Sequence, residues 1–172
     1  NIARFTEQKD HLTLLKSFNL VNKVIKSKLL IIGYGSNHNE IINYIKKNKL
    51  GNNVKILNFQ KNPYKYLRLA DIFVLTSKYE GLPNVLLEAL TLKKYIISTD
   101  CPTGPKEILN NGEYGTLVKI GDYKTISQNI INYKKNNSYF VKKVMKGFKS
   151  LNRFDFDKNC GEYYDVVKKY LY

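Results

Sequence analysis

The sequence predicts an α/β fold: a doubly wound, Rossmann-like parallel sheet of about six strands, with helices on both faces and a helical C-terminal tail. Three observations carry this prediction. Short apolar runs alternate with segments whose apolar residues recur at helical spacing. The runs are continuously apolar, as in strands buried on both faces of a parallel sheet. Residue types suited to ligand binding follow those runs, and an open α/β sheet binds its ligands at the carboxyl ends of its strands.

The elements follow in order. Asn1-Ile2-Ala3 reads as the end of a strand, so the chain is expected to be a piece of a longer protein. Leu12, Leu15 and Phe18 keep a helical period. Lys28 to Ile32 is a buried strand that stops at Gly33. Ile41, Ile42 and Ile45 mark a helix, and Val54 to Leu57 a strand closed by the polar break Gln60-Lys61-Asn62-Pro63. Tyr64 to Ala70 is helical, Ile72 to Thr76 a strand, Pro83 to Leu92 a helix, and Tyr95 to Thr99 a strand. Thr116 to Val118 is a shorter strand, and Tyr123 to Tyr133 a helix. Beyond Ile131 the pattern is helical only. Val141, Val144, Met145 and Phe148 form an apolar face opposite Lys142, Lys143, Lys146 and Lys149, and a last helix spans about Asp157 to Tyr170. Lys134-Lys135-Asn136-Asn137 reads as a loop between helices.

At 172 residues the chain suits one domain with a proper core. No run approaches the roughly 20 apolar residues of a membrane span, and no leader pattern is visible. Cys101 and Cys160 are too few and too far apart for a disulfide framework or a zinc site, which fits a reduced, cytoplasmic setting. The net charge of +15 has two readings. One is a polyanion partner, which makes the chain a non-catalytic nucleic-acid or membrane-surface module. The other is AT-rich coding, which enriches Lys, Asn, Ile and Tyr together and leaves most lysines as solvated surface.

The stretch from Glu80 to Leu90 is the most informative. Two carboxylates lie eight positions apart, with Gly81-Leu82-Pro83 between them at a strand-to-helix junction. Pro83 suits a helix start, Gly81 admits a ligand close to the backbone, and the unpaired N–H groups of the first turn favour an anion. Carboxylates there can hold hydroxyl groups. Asn84, Glu88 and Thr91 form a polar stripe, which by itself is also what a solvated helix face looks like. Arg4 and Lys9, Gly33, and Asn58-Phe59 end the other strands. Gly33-Tyr34-Gly35 has His38 where a dinucleotide fingerprint needs its third glycine, so a nicotinamide cofactor is not expected. His11, His38 and Cys101 read as structural, and Thr103-Gly104-Pro105 as a turn that also suits a loop beside the site.

Ser77 to Leu90 resembles the Glu-x7-Glu signature of retaining glycosyltransferases of the GT-B fold, family 4. Ala3 to Asp10 resembles the Gly-Arg…Lys segment of that family, with Ala3 in the usual glycine position. Ile31 to Gly35, Asp100 to Ile108 and Gly112 to Val118 resemble its later segments. The resemblance implies that residues 1–172 are the C-terminal, nucleotide-sugar-binding half of such an enzyme, without the N-terminal acceptor domain and inactive by itself. It implies that Arg4 and Lys9 grip the diphosphate, and that Glu80 holds sugar hydroxyls. Gly81 and Leu82 would offer N–H groups beside Pro83 and Asn84, Glu88 would bind the ribose, and Gly33, Asn58 and Phe59 would lie near the nucleotide. The catalytic set implied is Glu80, Arg4 and Lys9, with a UDP-sugar donor, no metal, no other cofactor and no nucleic-acid partner. The acceptor would be a glycan or lipid-linked glycan, with the enzyme in the cytoplasm or at the inner face of the membrane. The basic face beyond Ile131 has two readings, a contact with anionic lipid there and an ordinary solvated helix face. An epimerase of the same fold is disfavoured by the Glu-Gly-Leu-Pro-Asn run.

Overall fold

The computed structural model describes residues 1–171. Its strands are β1 (Leu29–Ile32), β2 (Val54–Leu57), β3 (Ile72–Leu75), β4 (Tyr95–Thr99) and β5 (Thr116–Val118). Its α-helices are α1 (His11–Asn22), α2 (His38–Lys47), α3 (Tyr64–Leu69), α4 (Asn84–Thr91), α5 (Gly104–Ile108), α6 (Tyr123–Lys135), α7 (Asn137–Lys149) and α8 (Phe156–Leu171). Short 3-10 turns at Glu7–Lys9 and Ser150–Phe154 precede α1 and α8.

Every ladder is parallel, β1 with β2, β3 with β4, and β4 with β5. The expected sixth strand is reduced to one bridge, Ile2 to Ile32, so backbone hydrogen bonding divides the strands into a pair and a triplet. The N-terminal residues join the two. The Asn1 amine donates to Leu30 O and its side-chain amide to Val74 O, each at 2.9 Å. Counting this segment as the first strand gives the doubly wound order, with the reversal between it and β3. That crevice is where the loops carrying Lys9 and Glu80 meet.

The pleat sorts side chains to two faces. Phe73, Leu75 and Ile96 enter the cluster under α3, α4 and α5, with Leu67, Leu86, Ala89, Leu90 and Ile108. Val74, Tyr95 and Ile97 enter the other, with Leu14, Leu15 and Phe18 of α1, Ile41 and Ile45 of α2, and Ile126 of α6. Both faces are therefore covered, and this is why β3 reads as an unbroken apolar run, whereas the expected run of β2 is interrupted by the exposed Lys55.

Three details depart from the sequence reading. The buried face of α7 is Phe140, Val144 and Gly147, while Val141 and Met145 are exposed. The shift follows from packing: Phe140 joins Tyr95 and Tyr133 with ring centroids 4.7 and 5.5 Å away, and at Gly147 a Cβ would stand 2.7 Å from Leu90. The expected loop at Lys134 to Asn137 shrinks to Asn136, because α6 continues to Lys135 and α7 begins at once. His38 opens α2 instead of sitting in a turn. The tail helix α8 is as expected, and no side chain on it is buried. Among the described residues no helix is long and apolar enough to cross a membrane.

Candidate functional site

The candidate residues gather in two adjoining groups at the C-terminal rim of the sheet. The first surrounds a pocket of about 260 Å³ lined by Ile2, Ala3, Arg4, Gly33, Tyr34, Phe59, Gln60 and Pro63 among others. Arg4 is exposed there, and no ion pair among the described residues engages it. Its backbone is held tightly. Ala3 N–H donates to Ile32 O at 3.0 Å and Phe5 N–H to Tyr34 O at 2.7 Å. A Cβ at Gly33 would lie 1.9 Å from Ala3 O, so glycine is required for this close approach. Phe59 is exposed and meets Tyr34 edge-on at 6.4 Å, and the Asn58 carbonyl accepts from the Gln60 amide.

The second group centres on Glu80. Lys9 Nζ lies 2.6 Å from Glu80 Oε1, with side chains only 16% and 7% exposed. The Ser77 hydroxyl donates to the same oxygen at 2.6 Å. Sequence alone places Lys9 and Glu80 at separate points of a ligand, whereas the structure pairs them directly. The corner that delivers Lys9 is built by Asp10. This residue adopts the left-handed conformation (φ 42°) and caps α1 by accepting from the Thr13 N–H and hydroxyl. From the other side, the Thr76 hydroxyl donates to Lys9 O at 2.9 Å and Lys78 N–H to Gln8 O at 2.7 Å.

The loop after β4 braces the Glu80-Gly81 backbone. Glu80 N–H donates to Pro102 O at 2.6 Å, Thr103 N–H to Glu80 O at 2.8 Å, and Gly104 N–H to Gly81 O at 2.8 Å. At Gly104 a Cβ would stand 2.3 Å from Gly81 O. Of the two readings for Thr103-Gly104-Pro105, the loop beside the site is the one seen. Gly81 and Leu82 are exposed, and their N–H groups serve no other described residue. They stand just ahead of α4, with Pro83 buried and Asn84 exposed.

Glu88, half-buried on α4, accepts a hydrogen bond from the Tyr64 hydroxyl at 3.3 Å. The nearby carboxylate pushes the Tyr64 phenol up, which keeps it a donor. Tyr64 follows Pro63, which lines the Arg4 pocket, whereas Glu88 itself is not among the residues that line it. Sequence reasoning missed Tyr64 and Ser77. Each carries an ordinary polar side chain whose importance arises from its neighbour in space. His11 is buried against Phe5, with neither ring nitrogen paired to a described residue, and burial pushes its imidazole down to about 4. Among the described residues no cluster of His, Cys, Asp or Glu could hold a metal ion.

The chain is thus a doubly wound α/β domain whose C-terminal rim carries Arg4, the buried pair of Lys9 and Glu80, and free N–H groups ahead of α4. The chain belongs to the family described as glycosyl transferases group 1, whose model matches residues 1–149. It is 49% identical over 133 residues to an uncharacterized glycosyltransferase of Methanocaldococcus jannaschii, an alignment that takes in 69% of this chain and 33% of the relative. It is 30% identical over 130 residues to a Campylobacter jejuni enzyme, the N-acetylgalactosamine-N,N'-diacetylbacillosaminyl-diphospho-undecaprenol 4-alpha-N-acetylgalactosaminyltransferase. That match covers 76% of this chain and 35% of the enzyme. The chain thus spans about a third of the length of these relatives. A crystal structure of a Staphylococcus aureus TarM mutant with fondaparinux, alpha-GlcNAc-glycerol and UDP superposes on it with a TM-score of 0.89. Identity there is 22%, over 96% of this chain and 34% of TarM.

Proposed function

We propose that residues 1–172 form the donor-binding half of a retaining, family 4 glycosyltransferase that takes a UDP-sugar. The observation that carries this reading is the buried pair of Lys9 and Glu80 at the point where the strand order reverses, with the exposed Arg4 on the adjoining pocket. In this reading the diphosphate lies between Arg4 and the free N–H groups of Gly81 and Leu82, at the head of α4. Lys9 Nζ has three protons, so from its place beside Glu80 it can turn a donor towards a phosphate oxygen and be drawn to it. Together the two cations offset the charge that develops on the departing nucleoside diphosphate. Glu80 Oε2, left over by Lys9 and Ser77, takes sugar hydroxyls, Glu88 takes the ribose, and the base rests in the pocket walled by Gly33, Asn58 and Phe59. UDP in the similar TarM structure supports a uridine donor.

Phosphate charge in this reading is met by Arg4, Lys9 and backbone N–H groups, so the site works without a metal. The acceptor, a glycan or a lipid-linked glycan as for the Campylobacter relative, is held by an N-terminal domain of the whole protein. Transfer then requires both halves, on the cytoplasmic side of the membrane. The alternative reading as a basic binding module rests on charge alone. Two lysines of its basic face are already engaged, Lys143 with Gly112 O and Gly115 O, and Lys146 with Glu113.

Calorimetry with UDP and UDP-glucose tests the proposal. Binding that weakens about tenfold or more in Arg4→Ala, Lys9→Ala and Glu88→Ala is expected, since each change removes a charge-assisted hydrogen bond. Unchanged affinity in all three variants would discard the site.

A further inference from the structure

We infer that Ser77 is a positioning residue for the sugar half of the donor site, holding Glu80 in place when Lys9 is drawn towards the diphosphate. The inference rests on the donor-site reading above. Ser77 is fully buried at the end of β3. Its hydroxyl and the Lys9 ammonium converge on one oxygen of Glu80, each at 2.6 Å. This double hold fixes the carboxylate plane and leaves Oε2 for the ligand.

The two holds respond differently to a phosphate. Lys9 is a mobile cation on a flexible stem, and a bound diphosphate pulls on it. The hydroxyl of Ser77 is neutral and does not compete for phosphate in the same way. Its backbone is also anchored, because the fully buried Thr99 of β4 donates to Ser77 O at 2.6 Å. The Glu80 carboxylate is almost entirely desolvated. Were Lys9 its sole partner, moving Lys9 would leave the charge unpaired inside the protein, and the carboxylate would swing outward to water. With Ser77 in place the carboxylate keeps a hydrogen bond and its direction, so filling the phosphate subsite does not undo the sugar subsite.

The test compares UDP, which lacks the sugar, with UDP-glucose on the 172-residue chain by calorimetry. Ser77→Ala is expected to shift the ratio of UDP-glucose to UDP affinity by about tenfold against the sugar nucleotide, the size of one hydrogen bond to a charged group. Ser77→Thr, which keeps the hydroxyl, is expected to restore the ratio. Ser77→Cys, close in size but a weak donor, is expected to behave as Ala and serves if Ala fails to fold in a thermal melt. An unchanged ratio in Ala and Cys overturns the inference while leaving the donor site intact. Equal loss of both ligands in a folded variant also overturns it, because it reports general damage. Absence of binding by the unmodified chain overturns the donor-site reading, and this inference with it.

Discussion

Removing Lys9 should destabilise the fold more than an exposed charge normally does, and removing Glu80 as well should not make matters worse. In Lys9→Ala the Glu80 carboxylate, 7% exposed, retains Ser77 as its partner but loses its counter-charge. Stranding a buried charge costs about 3–5 kcal/mol, and the surviving hydrogen bond puts this case near 3. In Glu80→Ala the stranded group is Lys9, more exposed at 16% and on a long stem that can reach water, so about 2 kcal/mol is expected. The double variant has no stranded charge and should lose about 3 kcal/mol, no more than Lys9→Ala alone. The coupling is therefore about 2 kcal/mol, within the range of directly contacting pairs. Urea unfolding followed by circular dichroism, at low and at moderate salt, measures all four proteins. Breaking the exposed pair of Lys78 and Glu7 with Lys78→Ala is the control, expected to cost less than about 1 kcal/mol and to fade with salt. If the losses in the two single variants simply add in the double variant, the side chains do not form the buried pair described here.

Two further outcomes follow from buried groups. His11, pushed down to about 4 from 6.5 chiefly by burial, stays neutral in the folded chain while the unfolded chain takes up a proton. Stability is fully present above 6.5, falls through that window on acidification by about 3 kcal/mol, and loses this slope in His11→Leu, as unfolding at pH 7 and pH 4.5 will show. Gly104→Ala forces a Cβ against Gly81 O and should both lower the melting temperature by several degrees and weaken UDP binding, whereas Gly51→Ala, with open space around it, should do neither.

Much of this was legible in the sequence, for reasons that vary by element. Strand β3 was readable because both of its faces are buried, which forces the unbroken apolar run Ile72 to Leu75, and β2 because Val54, Ile56 and Leu57 flank a lone exposed Lys55. The α4 site was readable because Gly81 and Pro83 mark a strand-to-helix turn whatever surrounds them. The face of α7 was misread because glycine has no side chain to count, yet Gly147 is where that helix comes closest to Leu90 and Tyr114. The bracing loop was readable as a turn or as a loop beside the site with nothing to choose between them, since the choice lies in hydrogen bonds to residues more than twenty positions earlier. Lys9 and Glu80 are 71 positions apart, and no periodicity reports that they touch.

The brace from Pro102, Thr103 and Gly104 separates two properties that proteins often entangle. It holds Glu80 and Gly81 chiefly through main-chain hydrogen bonds, to which the Thr103 hydroxyl adds longer ones, so the path of that loop depends little on the side chain of residue 82. Leu82, nearly half exposed at the head of α4, can therefore be exchanged without redrawing the loop. One frame, secured from behind by Gly104, presents a carboxylate fixed by Lys9 and Ser77 beside an exposed side chain that is free to vary. In the donor-site reading proposed above, residue 82 is therefore the position to randomise when redirecting this chain to another donor, and Glu80 and residues 102 to 104 are the ones to leave alone.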